Sequence, residues 1–226
     1  MSQIAQNLAE VRRRIAAAAH RAGRDPAAVR LVAVSKTMPL ELIRQAVAAG
    51  QRLFGENYLQ EAQPKIEALG QAASWHFIGH LQSKKAKVVV ALCELIHGVD
   101  RLKLAQALDA AAAQMGKVQD ILMQVNLAEE ATKSGVAPEA APELLREISH
   151  LPHLRLMGLM TMPPLLAPEA VRPYFRALRE LRERLTDLSG QPLPELSMGM
   201  SGDFEVAIEE GATLVRVGTA IFGSRL

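Results

Sequence analysis

Apolar positions in this chain recur first at helical spacing and then at strand spacing. Ile4, Leu8, Val11, Ile15 and Ala18 stand three or four residues apart, with Arg12 to Arg14 among them, which predicts an amphipathic helix over residues 2–22 with the arginines toward solvent. After it, strand and helix signals alternate. Short runs rich in β-branched and aliphatic residues predict strands near 30–35, 51–54, 74–78, 94–97, 120–125, 155–159, 194–197 and 213–217. Helical patterns fall between them at 40–49, 58–69, 84–91, 102–115, 138–150, 169–188 and 203–210. Repeated strand–helix units require parallel strands joined by crossover helices, in a closed (β/α)8 barrel or an open doubly wound sheet. Eight strand signals, with no Gly-x-Gly-x-x-Gly after the first, select the barrel. The expected fold class is therefore α/β, a single TIM-like (β/α)8 barrel domain spanning residues 1–226 with an extra N-terminal helix.

Composition narrows the picture. With 226 residues, 49% of them hydrophobic, the chain is long enough for one barrel-sized core. Its 26 Lys and Arg against 24 Asp and Glu leave a net charge of +2, too balanced for a surface built on the nucleic-acid backbone. The single cysteine, Cys93, lies in an apolar run and reads as a small core residue in a reducing compartment. The N-terminus lacks a basic start followed by an apolar signal core, and no run reaches the roughly 18 apolar residues of a membrane span, so the expectation is a soluble cytoplasmic protein. The proline-rich stretch 162–168 follows the sixth predicted strand, where barrel loops rim the active site.

The chemistry-bearing residues cluster at predicted strand ends. Leu31-Val32-Ala33-Val34-Ser35-Lys36 is a buried-strand pattern ending in an amine. A lysine after a strand is ordinarily the first solvated loop residue; partial desolvation instead makes it a neutral nucleophile able to condense with an aldehyde. Ser197-Met198-Gly199-Met200-Ser201-Gly202-Asp203-Phe204 follows the seventh strand with small residues that let backbone N–H groups approach an anion. Its plainer reading is a glycine-containing turn with Ser201 as a helix N-cap. Gly218-Thr219 after the eighth strand supplies a second half-site of the kind that binds phosphate in barrels. Arg216, between Val215 and Val217, faces away from both valines and needs an acceptor, either a carboxylate or a ligand atom such as a ring nitrogen. His76 and His80 have helical metal-pair spacing but straddle Gly79 in a strand-like segment, so no metal site is read there. Lys84, Lys85 and Lys87 read as a solvated helix start. Gly55-Glu56-Asn57 and Asn126 project polar groups over the same barrel end as Lys36, and the loop 126–135, with Glu130, Lys133 and Gly135, is placed to fold over it. Tyr58 and Tyr174 both read as helical.

Five stretches in this order, Val34-Ser35-Lys36-Thr37, Phe54-Gly55-Glu56-Asn57-Tyr58, His76-Phe77-Ile78-Gly79-His80-Leu81-Gln82, Gly158-Leu159-Met160-Thr161-Met162 and Ser197-Met198-Gly199-Met200-Ser201-Gly202-Asp203, resemble the pyridoxal phosphate homeostasis protein family. These are single barrels that bind pyridoxal 5′-phosphate and are similar to the N-terminal domain of alanine racemase. Lys84 stands where that family more often has asparagine. The resemblance implies that Lys36 holds the cofactor as a Schiff base, that Ser201, Gly218 and Thr219 take the phosphate with backbone from Met200 and Gly202, that Arg216 faces the pyridine nitrogen, that Asn57 lies near the ring, and that His80 lines the pocket. It implies a cofactor carrier or buffer acting in vitamin B6 homeostasis rather than an enzyme, with no catalytic residue assigned. A low-activity amino-acid racemase is the alternative, and a regulatory module that binds a protein partner when loaded is a third class. The expected partners are pyridoxal phosphate and the apo-enzymes that use it, with no nucleic acid or membrane. One barrel without a second domain favours a monomer, and Lys133 is a candidate second aldehyde acceptor.

Overall fold

A computed structural model describes residues 2–128 and 134–223. The parallel strands β1 (Arg30–Val34), β2 (Leu53–Glu56), β3 (Ser74–Phe77), β4 (Leu95–Val99), β5 (Gln119–Gln124), β6 (Leu154–Met160), β7 (Glu195–Ser197) and β8 (Leu214–Val217) pair in chain order and close into a barrel. The outer helices are α1 (Gln3–Arg21), α2 (Leu40–Ala48), α3 (Leu59–Leu69), α4 (Ala86–Leu92), α5 (Leu102–Gln114), α6 (Ala141–Ser149), α7 (Pro168–Ser189), α8 (Phe204–Glu209) and α9 (Thr219–Phe222). The expected (β/α)8 barrel with an extra N-terminal helix is thus the fold.

Alternation along each strand divides the core in two. Val32, Leu95, Leu122, Met160 and Leu214 form one apolar cluster, lining the barrel interior. The larger cluster, with Ala33, Phe54, Trp75, Ile96, Ile121, Leu159, Leu196, Val215 and Val217 from the strands, packs against the helices. α1 adds Ile4, Leu8, Val11, Ile15, Ala18 and Ala19 to that outer layer. It is also tied to the C-terminal part of the barrel by polar contacts: Asn7 Nδ2 donates to the Ile221 carbonyl at 2.8 Å, and Arg24, just past the helix, donates to the Ile208 carbonyl at 2.6 Å.

Several details differ from the sequence reading, each for a local reason. Arg14 is not simply solvated, because it pairs with Glu205 at 2.6 Å and stands 4.6 Å over the Phe204 ring. The second strand starts two residues late because Gln51 is a buried connector, its side-chain amide donating to the Leu31 and Leu53 carbonyls at 2.9 and 2.7 Å. The fourth helix is preceded by a 3-10 turn at Ser83–Lys85, and the sixth begins only at Ala141, just before Pro142. Helix α9 has four residues, too few to leave a periodic signal. Tyr58 stands ahead of α3 rather than within it and is 54% exposed.

Gly158 marks an irregularity in the wall, where the β5–β6 register shifts between Ile121 and Leu122. Its φ is +153°, and a Cβ there would lie 1.9 Å from the Glu195 carbonyl oxygen of the neighbouring strand. Gly158→Ala is therefore expected to lose at least roughly 1–3 kcal/mol from backbone strain alone. Urea unfolding followed by circular dichroism should show the lowered midpoint, and an unchanged midpoint would mean the wall can yield at this point.

Candidate functional site

Strand β1 stops at Val34, and a turn takes the chain through Ser35, Lys36 and Thr37. Thr37 has φ +63°, the one non-glycine residue at positive φ among the described residues, so this turn holds a conformation that L side chains resist. Val32 lines the interior and Ser35 points outward, its hydroxyl donating to Glu56 Oε1 at 2.7 Å. The same alternation puts half-buried Lys36 on the interior side of the rim. Thr37 N donates to Glu61 Oε2 at 2.7 Å.

β8 lies beside β1, with Val32 opposite Arg216 and Ala33 opposite Val217. One step further, Gly218 packs on Val34: a Cβ at Gly218 would stand 3.3 Å from the Val34 carbonyl oxygen. The turn after β7 meets this point. Ser201 Oγ accepts from the N–H groups of Gly218 and Ala220, each at 3.3 Å, and Thr219 is exposed at the start of α9. Ser201 therefore does not cap α8; Asp203 precedes that helix, and its Oδ1 accepts from Met200 N at 2.5 Å. Gly199 permits the fold-back, with φ +92° and space for a Cβ only 2.6 Å from that of Ala207. Gly202 is exposed and has open space around its Cα.

Below the mouth, Arg216 is buried inside the barrel and makes no ion pair among the described residues. It donates to Ser197 Oγ at 2.6 Å and to the Thr161 carbonyl at 2.8 Å. Ser197 Oγ is also 2.9 Å from His97 Nδ1, and His97 Nε2 is 3.0 Å from His76 Nδ1. Arg216 can only donate, so Ser197 accepts from it, and the remaining capacity of the hydroxyl meets His97 Nδ1. Burial keeps both rings neutral, pulling His76 down to about 3 and His97 well below its ordinary value, with the neighbouring His76 and Arg216 adding to the effect at His97. Burial also pulls Arg216 down to about 10, against the opposing charge of Asp203, so it stays protonated at neutral pH.

Asn57 and His80 come together in a separate cleft of about 190 Å³ whose walls include Tyr58, Gln82 and Lys85 but not Lys36 or Ser201. Asn57 Oδ1 is buried there without a hydrogen-bond partner among the described residues, and exposed His80 Nδ1 is 3.1 Å from Ser134 Oγ. Lys84 and Lys87 are exposed. Asn126 N donates to the Val136 carbonyl at 2.9 Å at the end of β5, while Glu130 and Lys133 lie outside the described residues. Sequence reasoning missed His97, Ser197, Thr161 and Lys65. Only Lys65 left a trace, because it takes the next inward position after Leu59 and Ala62 on the buried face of α3.

Comparison with known proteins points one way. The profile of the family "Alanine racemase, N-terminal domain" matches residues 6–226. A pyridoxal phosphate homeostasis protein of Aquifex aeolicus is 49% identical over 222 residues, covering 97% of this chain and 97% of that protein. Another, from Pseudomonas aeruginosa, is 50% identical over 226 residues, covering 100% and 97%. Among solved structures, PipY of Synechococcus elongatus PCC7942 with PLP bound is 38% identical with TM-score 0.86, covering 97% of this chain and 100% of that one. Alanine racemase from Corynebacterium glutamicum shares the fold at 18% identity and TM-score 0.75, this chain covering 60% of it.

The interior histidine chain has a consequence for stability. His76 and His97 are neutral in the folded protein and regain the ordinary histidine value near 6.5 on unfolding, so below that pH the unfolded chain binds more protons. Their contribution is fully present above about pH 6.5 and declines as the pH falls toward the depressed folded values. Between pH 7.5 and 5.5 each ring should cost roughly 1.4 kcal/mol. Urea melts at the two pH values should show the loss, and ¹⁵N imidazole shifts of both rings should stay those of neutral histidine; a ring that titrates near 6.5 in the folded protein would refute the assignment.

Proposed function

The chain belongs to the alanine racemase N-terminal domain family, as one of its pyridoxal phosphate homeostasis proteins, and from that premise we propose that this single barrel binds pyridoxal phosphate at its C-terminal mouth as a cytosolic carrier. In this reading it buffers free cofactor, with indirect effects on amino-acid and keto-acid pools, and supplies apo-enzymes as a monomer. One observation carries the proposal. The β1–β8 register sets Gly218 against Val34, so the strand end bearing Lys36 and the Ser201–Gly218–Ala220 donor cluster share one rim.

The donor set fits a phosphorylated pyridine aldehyde. Ser201, Gly218 and Thr219 would take the phosphate, with backbone from Met200 and Gly202, because the Ser201 hydroxyl and the Gly218 and Ala220 N–H groups converge there; the Met200 N–H is held by Asp203 Oδ1 until a ligand competes for it. Lys36 would hold the aldehyde end, and Arg216 would stand toward the ring nitrogen. Asn57, whose buried Oδ1 lacks a partner among the described residues, would lie near the ring, with His80 lining the pocket. When bound, the cofactor supplies an aldehyde that condenses reversibly with amines and a ring that withdraws electrons. Arg216 favours an unprotonated ring nitrogen, because a guanidinium donates and does not accept, and this weakens the electron withdrawal that amino-acid chemistry needs. A low-activity racemase, the alternative, needs a second acid/base on the opposite face of the substrate from Lys36, and the exposed Tyr58 phenol stands in the cleft with Asn57 and His80, which Lys36 does not line.

Adding pyridoxal phosphate to the purified protein should raise a visible absorption band that is lost in Lys36→Ala, and borohydride reduction should place the pyridoxyl label on Lys36. Label scattered over surface lysines would refute the site. Arg216→Ala should weaken binding about tenfold or more, whereas Lys84→Ala should leave it nearly unchanged; equal losses would count against the roles given to both. The loaded protein, mixed with each enantiomer of an amino acid in heavy water, should exchange α-protons no faster than free cofactor does. Rapid exchange abolished by Lys36→Ala would favour the racemase.

A further inference from the structure

Behind Lys36, on the outer face of the barrel wall, lies an ion pair that the ligand site does not use. Glu56, at the end of β2, is fully buried; its Oε1 accepts from Ser35 Oγ and from Lys65 Nζ, each at 2.7 Å. Lys65 comes from α3, is 8% exposed, and also donates to the Ser35 carbonyl at 2.8 Å. Glu61, one turn earlier on the same helix, stands 3.6 Å from Lys65 and accepts from Thr37 N. The residues on either side of Lys36 are thus bound to one charged cluster: Ser35 by its hydroxyl and its carbonyl, Thr37 by its N–H.

Stability alone does not account for this arrangement. Removing two charges from water costs several kcal/mol per ion before pairing offsets it, and an apolar pair of similar volume is often as stable or more so. Glu56 Oε2 is moreover buried with no hydrogen-bond partner among the described residues, so the pair is incompletely satisfied. What the cluster supplies is direction. It fixes a turn whose Thr37 sits at φ +63°, a conformation that persists only where neighbouring contacts over-determine it.

We propose that Lys65, acting with Glu56 and Glu61, is a positioning residue that holds the Ser35–Thr37 turn so that Lys36 meets the aldehyde of a ligand seated by its phosphate. This rests on the reading given under Proposed function. A merely structural role would weaken all binding alike, whereas a positioning role affects only the step that needs the Lys36 amine. Two ligands separate these cases: pyridoxal 5′-phosphate and pyridoxine 5′-phosphate, which has an alcohol in place of the aldehyde.

In Lys65→Met, capture of pyridoxal phosphate, followed by the visible band and by reduced label on Lys36, should slow at least about tenfold. Pyridoxine phosphate affinity should stay within about twofold, and amide exchange at Thr37 and Met38 should quicken in the unliganded protein. Lys65→Arg should restore part of the capture rate. Should Lys65→Met fail to fold, the paired variant Glu56→Leu with Lys65→Met leaves no buried charge unpaired and carries the same expectations. Wild-type capture rates and unchanged amide exchange in a folded variant would overturn the inference, as would equal losses for the two ligands. Wild-type protein that takes no label on Lys36 would instead overturn the ligand reading, and this inference with it.

Discussion

The pairing of β1 with β8 is the constraint on which the mouth of this barrel depends. Parallel strands cannot be joined by tight turns, so the first strand reaches the last only when every intervening strand–helix unit has closed in the same sense. Once closed, the register runs from Arg30 opposite Leu214 to Ala33 opposite Val217. Because side chains alternate, a slip of one residue would exchange Arg216 with a valine and carry the guanidinium into the layer between strands and helices. It would likewise break the match of Gly218 to Val34 and separate the β7–β8 loops from Lys36. The apolar demand of the outer layer, where Val215 and Val217 are fully buried, therefore fixes where the functional groups stand.

A polar layer inside a barrel needs its own justification, since every buried donor and acceptor must find a partner. Here one charge orders the rest. Arg216 donates to Ser197, the Ser197 hydroxyl meets His97 Nδ1, and His97 Nε2 meets His76 Nδ1, so the guanidinium heads one continuous line of hydrogen bonds. The chain crosses from β8 to β7 to β4 to β3 above the apolar cluster of Val32, Leu95, Leu122, Met160 and Leu214. With both rings neutral, it holds the guanidinium head in place by hydrogen bonds and adds no second buried charge. The same ring neutrality links this interior layer to stability below pH 6.5.

The barrel was legible in the sequence because its signal repeats: a misplaced boundary at one strand, as at Gln51, does not alter a pattern of alternating strands and helices. The candidate residues at the rim and just below it were legible because Lys36, Ser201 and Arg216 interrupt apolar or glycine-containing runs at or near strand ends. Less visible was how those residues are held. Ser201 could be read as a cap for the next helix, and only the fold shows its hydroxyl reaching across to the N–H groups of Gly218 and Ala220. Partners far apart in the chain left no local signal, since nothing near Ser197 announces His97 and nothing near Ser35 announces Lys65. A lysine on the inward face of α3 was the one hint, and amphipathic spacing alone does not say what it meets.

Carrier and racemase ask different things of such a barrel. Racemisation must take a proton from one face of a substrate and return it to the other, so it needs two groups able to change protonation near the working pH. A carrier needs an anion seat and an amine whose bond to the aldehyde forms and breaks reversibly. Arg216 has a value near 10 and keeps its proton at neutral pH. The histidines behind it are held neutral, with both ring nitrogens of His97 and Nδ1 of His76 engaged with one another or with Ser197. The interior layer is therefore built to hold a positive donor still rather than to pass protons, and in the proposed reading the group that meets the aldehyde is Lys36, carried on a turn tied to Glu56, Glu61 and Lys65. That division, a fixed cation below and a positioned amine above, suits reversible capture better than proton transfer.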